Sequence, residues 1–250
     1  MIYADNAATT RIDEDALNLM IELQKKFYAN PSSGYKLSRP IKKILSESRE
    51  KIAACINAEP QEIYFTSGGT ESNNWAIKSL SVGKNIITSS IEHKSVINSC
   101  LAAKNYLNST VTFLPVDKFG RVNPYDLQEK ILPQTKIISV MFANNEVGTI
   151  QPIKKLAEIA RNHGKIFHTD AVQAVGHIAI DVKDLGVDML SASAHKFNGP
   201  KGIGFLYAKK NLNLIPFHDG GSQEFSLRAG TENFPAIAAM TLALEKIVPI

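Results

Sequence analysis

Short apolar runs alternate with helical segments along most of this chain, and no other feature constrains its fold so strongly. Glu62-Ile-Tyr-Phe65, Asn85–Thr88, Thr110–Leu114, Lys136–Met141, Ile166–His168, Met189–Ser191 and Ile203–Tyr207 read as strands. Most gaps between them carry apolar residues at helical spacing: Ser72–Leu80, Ser95–Tyr106, Asp126–Ile131 and Ile153–His163. Strands that alternate with helices predict βαβ units, hence an α/β fold with a mostly parallel central sheet sandwiched by helices. Two helices precede the alternation, one capped by Asp13 and one over about Pro40 to Ile56, and a third, Pro235–Val248, follows it. Ligands of such sheets bind beyond the carboxyl ends of the strands.

Composition narrows the partners. The 250 residues are 44% hydrophobic and 21% charged, with a net charge of +4 from dispersed residues, which argues against nucleic acid. No apolar run approaches the roughly 20 residues that span a bilayer. The first residues, Met1-Ile-Tyr-Ala-Asp-Asn6, lack a basic region followed by an apolar one, so a cytoplasmic location is expected. Cys55 and Cys100 form neither a disulfide framework nor a metal-ligand spacing, and each lies on a helical segment as a buried, inert thiol would.

The unusual polar residues gather at the strand ends. Lys196 follows a core strand within Ser193-Ala-His-Lys196, ahead of the turn Gly199-Pro-Lys-Gly202. An unpaired buried ammonium is costly, and condensation with an aldehyde relieves that cost; a surface lysine in a loop is the alternative. Thr66-Ser-Gly-Gly-Thr-Glu-Ser72 links a strand to a helix, where free N–H groups suit a phosphate, unless Thr70 or Ser72 is only a helix cap. Asp170 suits a protonated pyridine nitrogen or, equally, a helix N-cap. His93 projects over a site or is a structural histidine, and Asn144-Asn145 offers amides to a ligand or makes a turn. Jointly these residues provide what a phosphorylated pyridine aldehyde requires.

The chain resembles the cysteine desulfurases of the NifS/IscS type, in the class V aminotransferase group of fold-type I pyridoxal phosphate enzymes. The matching stretches run in the family's order: Asp5-Asn-Ala-Ala-Thr-Thr10, Asn30-Pro-Ser-Ser33, Phe65–Ser72, Glu92-His-Lys94, Asn144–Gly148, His168–Gln173, Ser193–Lys196 with Gly199–Gly202, and Arg228-Ala-Gly-Thr-Glu-Asn233. The resemblance implies that Lys196 carries pyridoxal 5'-phosphate as a Schiff base, that Asp170 pairs with the ring nitrogen and that His93 stacks on the ring. Gln173 and Asn145 would address the ring hydroxyl side, with Ala7, Ala8 and Asn145 near the substrate. Gly69, Thr70, Ser193 and His195 would hold the phosphate, and Thr231 would reach the phosphate of a neighbouring subunit in a homodimer with shared sites. The implied reaction takes L-cysteine to L-alanine while an enzyme cysteine receives the sulfur for a sulfur-acceptor protein. Other readings are a different β-elimination, a selenocysteine lyase, or a non-catalytic scaffold.

By the same resemblance, residues 1–15 line the site, 16–234 form the large cofactor-binding domain, and the helix at 235–250 leads toward a small C-terminal domain. That domain, which bears the family's sulfur-accepting cysteine and carboxylate-binding arginine, is expected to be absent here or supplied by a separate chain. Tyr35 and Ser38 replace a usual histidine and glycine, and Phe225-Ser226 stands where a Gly-Arg pair is common.

Overall fold

The alternating segments assemble into one seven-stranded sheet in the computed structural model, which describes residues 2–248. The strands are β1 (Ile63–Thr66), β2 (Asn85–Ser89), β3 (Thr110–Leu114), β4 (Thr135–Ser139), β5 (Ile166–Asp170), β6 (Met189–Ser193) and β7 (Gly204–Ala208). They lie in the order β1-β7-β6-β5-β4-β2-β3. Pairs from β6 across to β3 are parallel, whereas β7 is antiparallel to both β6 and β1. Only β7 therefore opposes the others among the described residues, and β1, β2, β3, β4, β5 and β6 all bring their carboxyl ends to one edge.

Helices cover both faces, as expected of a sheet whose strands are buried on two sides. On one face α3 (Gly69–Leu80) and α4 (Lys94–Tyr106) pack Trp75, Ala76, Val96 and Cys100 against Ile86, Ile137 and Met189. The other face is covered by α5 (Pro124–Lys130), α6 (Ile153–Asn162), α7 (Val182–Leu185) and α9 (Phe234–Ile247), with Leu127, Leu156, Val182 and Met240 facing Ile138, Phe167 and Leu190. Beside them, α1 (Glu14–Lys26) and α2 (Arg39–Cys55) join α9 through Leu23, Ile41, Phe234 and Ala238. Asp13 caps α1, accepting from the N–H groups of Asp15 and Ala16 at 3.0 and 3.1 Å. No helix among the described residues is long and apolar enough to cross a membrane.

Two expected boundaries move for local reasons. The apolar run through Met141 outlasts β4: Val140 and Phe142 still donate to the His168 and Asp170 carbonyls of β5, but the Met141 N–H donates to the Glu92 carboxylate at 2.8 Å. Helix α3 starts at Gly69 rather than Ser72, and no side chain caps it.

One ion pair finishes the sheet. The short segment α8 (Gln223–Ser226) is left-handed, with φ of 45°, 59° and 65° at Glu224, Phe225 and Ser226. Such backbone costs L-residues about 1–2 kcal/mol each, and it falls at Phe225-Ser226, where the resemblance leads one to expect a Gly-Arg pair. The bend delivers Glu224, which is 5% exposed, to the open edge of β1. Its carboxylate accepts from Arg49 at 2.7 and 2.9 Å and from the Phe65 N–H at 2.8 Å, while Arg49 also donates to the Ile63 carbonyl. Unpaired strand groups thus acquire partners at a sheet edge. Removing one partner of a buried pair typically costs about 3–5 kcal/mol. Arg49→Leu should lose stability of about that size in urea denaturation; a loss below about 1 kcal/mol would show that the pair does not hold this edge.

Candidate active site

A cavity of about 590 Å³ opens at the carboxyl edge of the sheet. Ala7, Ala8, Gly69, Thr70, His93, Asn145, Asp170, Gln173, Ser193, His195 and Lys196 all line it. Thr231, alone among the expected site residues, lies outside it and is exposed.

One end of the cavity suits an anion. The uncapped first turn of α3 leaves N–H groups free of side-chain partners beside Gly69 and Thr70. Gly69 is required there, because a Cβ would lie 2.5 Å from Val172 Cγ2. A second cavity of about 330 Å³ shares Gly69, Thr70, Ser193 and His195 with the first and adds Lys201. The His195 imidazole is held below its ordinary pKa by burial, then by the nearby Lys196 and Lys201 charges.

The other end holds a buried acid. Asp170, 4% exposed, accepts from the Val172 N–H at 3.0 Å and from Asn73 Nδ2 at 2.7 Å. Burial pushes its pKa up, against hydrogen bonds from Val172 and Asn73 and weaker attraction from His93 and Lys196. The capping and functional readings of Asp170 coexist, since one oxygen caps a turn while the residue lines the cavity. The same is true of His93, which caps α4 by accepting from the Ser95 N–H at 3.1 Å and still faces the site. Asn144 and Asn145 divide their tasks. The Asn144 carboxamide oxygen accepts from the N–H groups of Glu146 and Val147 and builds the turn, which leaves Asn145 for the cavity.

Lys196 ends a single 3-10 turn after β6. Its ammonium donates to the Ala7 carbonyl and, at 2.8 Å, to that of Ala8. Gln173 donates to the same Ala7 carbonyl at 2.9 Å, and Thr10 donates its N–H to the His195 carbonyl at 2.8 Å. These bonds lay the N-terminal segment across the cavity. Burial lowers the Lys196 pKa, opposed by Asp170 and Asp5, so more of the amine is unprotonated and nucleophilic than in free lysine. Cys55 and Cys100 are buried, line neither of these cavities, and have thiols pushed up by burial to about 11 and about 12.

Residues 2–249 match the family model described as aminotransferase class-V. The chain belongs to that family. Within it, the chain is 49% identical over 249 residues to "Cysteine desulfurase IscS" of Methanosarcina thermophila, covering 98% of this chain and 61% of that protein. It is 50% identical to a "NifS/IcsS protein homolog" of Lactobacillus delbrueckii subsp. bulgaricus over 97% of this chain and 65% of that one. The chain therefore spans less than two thirds of the length of these curated relatives. Among solved structures, "SspA in complex with cysteine" superposes with a TM-score of 0.96 at 40% identity, covering 99% of this chain and 73% of that one. A NifS-like protein from Rickettsia africae gives 0.92 at 35%, covering 99% and 69%. The mostly parallel sheet flanked by helices is thus the fold that the chain shares with these solved structures.

Sequence reasoning missed two supporting residues of this class-V site, Asn73 and Ser95. Asn73 carried a usable signal: positions 69, 72, 73, 76, 77 and 80 form the buried face of α3, and a carboxamide there needs a partner. Glu92 was noted only as the neighbour of His93. It is 5% exposed, accepts from Ser89 Oγ at 2.6 Å and the Met141 N–H at 2.8 Å, and leaves its second oxygen without a partner. Burial pushes its pKa up to about 8, offset in part by those two donors, so it is mostly protonated at neutral pH. A folded-state pKa above the unfolded value means that the acid's stabilising contribution is present below the unfolded pKa and lost as pH rises through the folded one. The stability of the wild type relative to Glu92→Gln should therefore fall between pH 5 and 8, by up to about 1.4 kcal/mol per unit. Parallel pH profiles for the two proteins in thermal or urea unfolding would contradict a protonated Glu92.

Proposed function

We propose that this chain is the pyridoxal 5'-phosphate-binding part of a cysteine desulfurase, acting on L-cysteine. The observation that carries this reading is the pairing, across one cavity, of Asp170 with an uncapped helix N-terminus and a lysine of lowered pKa. The donor set fits the cofactor: an uncapped helix N-terminus packed so closely on Val172 that Gly69 admits no Cβ, a buried acid lacking a hydrogen-bonded cation, and an amine lining the same cavity. When bound, pyridoxal phosphate supplies an aldehyde for an amine and a conjugated ring that accepts the electron pair left at Cα.

Each side chain then has a task. The first turn of α3, Thr70, Ser193 and His195 hold the phosphate. Asp170 keeps the ring nitrogen protonated, and that positive charge in turn favours the ionised carboxylate. Lys196 would hold the cofactor through its side-chain amine, and that amine is the base that would take the Cα proton. Asn145, Gln173 and the Ala7–Ala8 segment line the same cavity and would border the substrate, and His93 would stack on the ring. Overall, L-cysteine and a thiol give L-alanine and a persulfide, the sulfur passing to the thiol as a carbon–sulfur bond breaks and a carbon–hydrogen bond forms. Cys55 and Cys100 are too buried and too weakly acidic to be that thiol, so the acceptor comes from outside residues 1–250. Thr231, exposed and outside its own cavity, is assigned to the phosphate of a second copy in a homodimer. The reaction suits a cytoplasmic sulfur supply such as that for iron–sulfur clusters.

Exchange of the Cα hydrogen of L-cysteine in deuterium oxide, followed by NMR, tests this reading without needing the sulfur acceptor. The cofactor-loaded protein should exchange it, and Lys196→Ala should be slower by about 10² or more, the scale of a lost general base. Equal rates in the two proteins would remove Lys196 from proton transfer. Alanine release by the wild type that is lost in Cys55→Ala/Cys100→Ala would refute the external acceptor.

A further inference from the structure

We infer that Asn73 is a positioning residue, whose single carboxamide aligns Asp170 and orients the hydrogen bond that holds the His93 ring. The inference rests on the functional reading above and deepens it. Asn73 is 1% exposed and sits on the sheet-facing side of α3, within the lining of the cavity. Its Nδ2 donates to Asp170 Oδ2 at 2.7 Å and to Ser95 Oγ at 2.9 Å. Both N–H bonds of the amide are thereby used.

The second bond dictates what Ser95 does. With an N–H donated to its oxygen, the Ser95 hydroxyl turns its own proton to His93 Nδ1, 2.7 Å away. Nδ1 also accepts from the Ser95 backbone N–H at 3.1 Å. A nitrogen that accepts from both carries no proton, so the neutral ring bears its hydrogen on Nε2. The backbone bond alone is enough to select that tautomer. What Asn73 adds is the shorter bond, because without it the hydroxyl is free to rotate. The opposite orientation of the amide would take the donor away from both Asp170 Oδ2 and Ser95 Oγ and leave it buried where no partner lies. Asn73 Oδ1 has no partner at all although it is buried, so the side chain is arranged for its two donor contacts and not for its own full satisfaction.

The cofactor would meet both outcomes. Asp170 Oδ2 is fixed relative to the ring nitrogen, and the His93 ring is fixed relative to the plane it covers. Ser95 alone supports only the second.

The test combines pyridoxal phosphate titration with 15N NMR of histidine-labelled wild type, Asn73→Leu, Ser95→Ala and Ser95→Thr. In Ser95→Ala the His93 Nδ1 resonance should move from its wild-type position, and in Ser95→Thr, which keeps the hydroxyl, it should stay. Asn73→Leu should move it in the same direction as Ser95→Ala and should also weaken cofactor binding at least tenfold, more than Ser95→Ala does. The Nε2–H tautomer should persist in all four proteins. An Nδ1 resonance unmoved in either Ser95→Ala or Asn73→Leu, or cofactor affinity in Asn73→Leu within twofold of wild type, overturns the inference. A merely structural Asn73 would lower the melting temperature and leave the Nδ1 resonance in place, which is one of those results. If Asn73→Leu does not fold, the Ser95 pair decides whether the hydroxyl holds the ring. If the wild type takes up no cofactor, the functional reading fails, and the Nδ1 resonances of the unloaded proteins still decide the relay.

Discussion

Asp170 ends β5, the middle strand of the sheet, almost without solvent contact, and its oxygens meet a backbone N–H and a carboxamide but no cation. Neutral donors offset part of the cost of burying a carboxylate; the rest appears as a raised pKa. A protonated pyridine nitrogen, as proposed for this site, would supply the missing charge. The remaining site residues are disposed about this acid, with the amine of Lys196 and the anion cradle of α3 in the same cavity. The stabilisation would be mutual, because a protonated ring nitrogen and an ionised carboxylate favour each other.

The sheet makes that arrangement possible by directing six carboxyl ends to one edge while a single reversed strand, β7, separates β1 from β6. A close approach lets the cradle sit there. A Cβ on Gly204, at the start of β7, would lie 2.7 Å from Gly68 Cα, so only glycine allows the loop before α3 to cross β7. Beyond β1 the Arg49–Glu224 pair occupies the edge groups, at the expense of a left-handed segment. Stability and site construction therefore meet in β1, whose carboxyl end leads directly into Gly68 and Gly69.

Much of this was legible in the sequence because chemistry and periodicity coincide. Strand ends carrying Lys196, Asp170, His93 and Asn145 stood out as polar residues placed just past apolar runs, and the structure brings all four to one cavity. Asn73 was legible only in part: its place on the buried face of the α3 pattern signals burial, but its partners Asp170 and Ser95 come from other elements. The buried role of Glu92 was hidden for a related reason: its partners, Ser89 and the Met141 N–H, come from two different strand ends. Thr231 could be read only by resemblance, and nothing within its own cavity calls for it. The left-handed backbone at Phe225 and Ser226 also escaped the sequence, since neither residue type announces a positive φ.

The most direct measurement is borohydride reduction of the protein after incubation with pyridoxal phosphate, followed by peptide mass spectrometry. The account predicts one reduced pyridoxyl group, on the peptide containing Lys196, at close to one per chain. A group spread over surface lysines, or absent from Lys196, would contradict it.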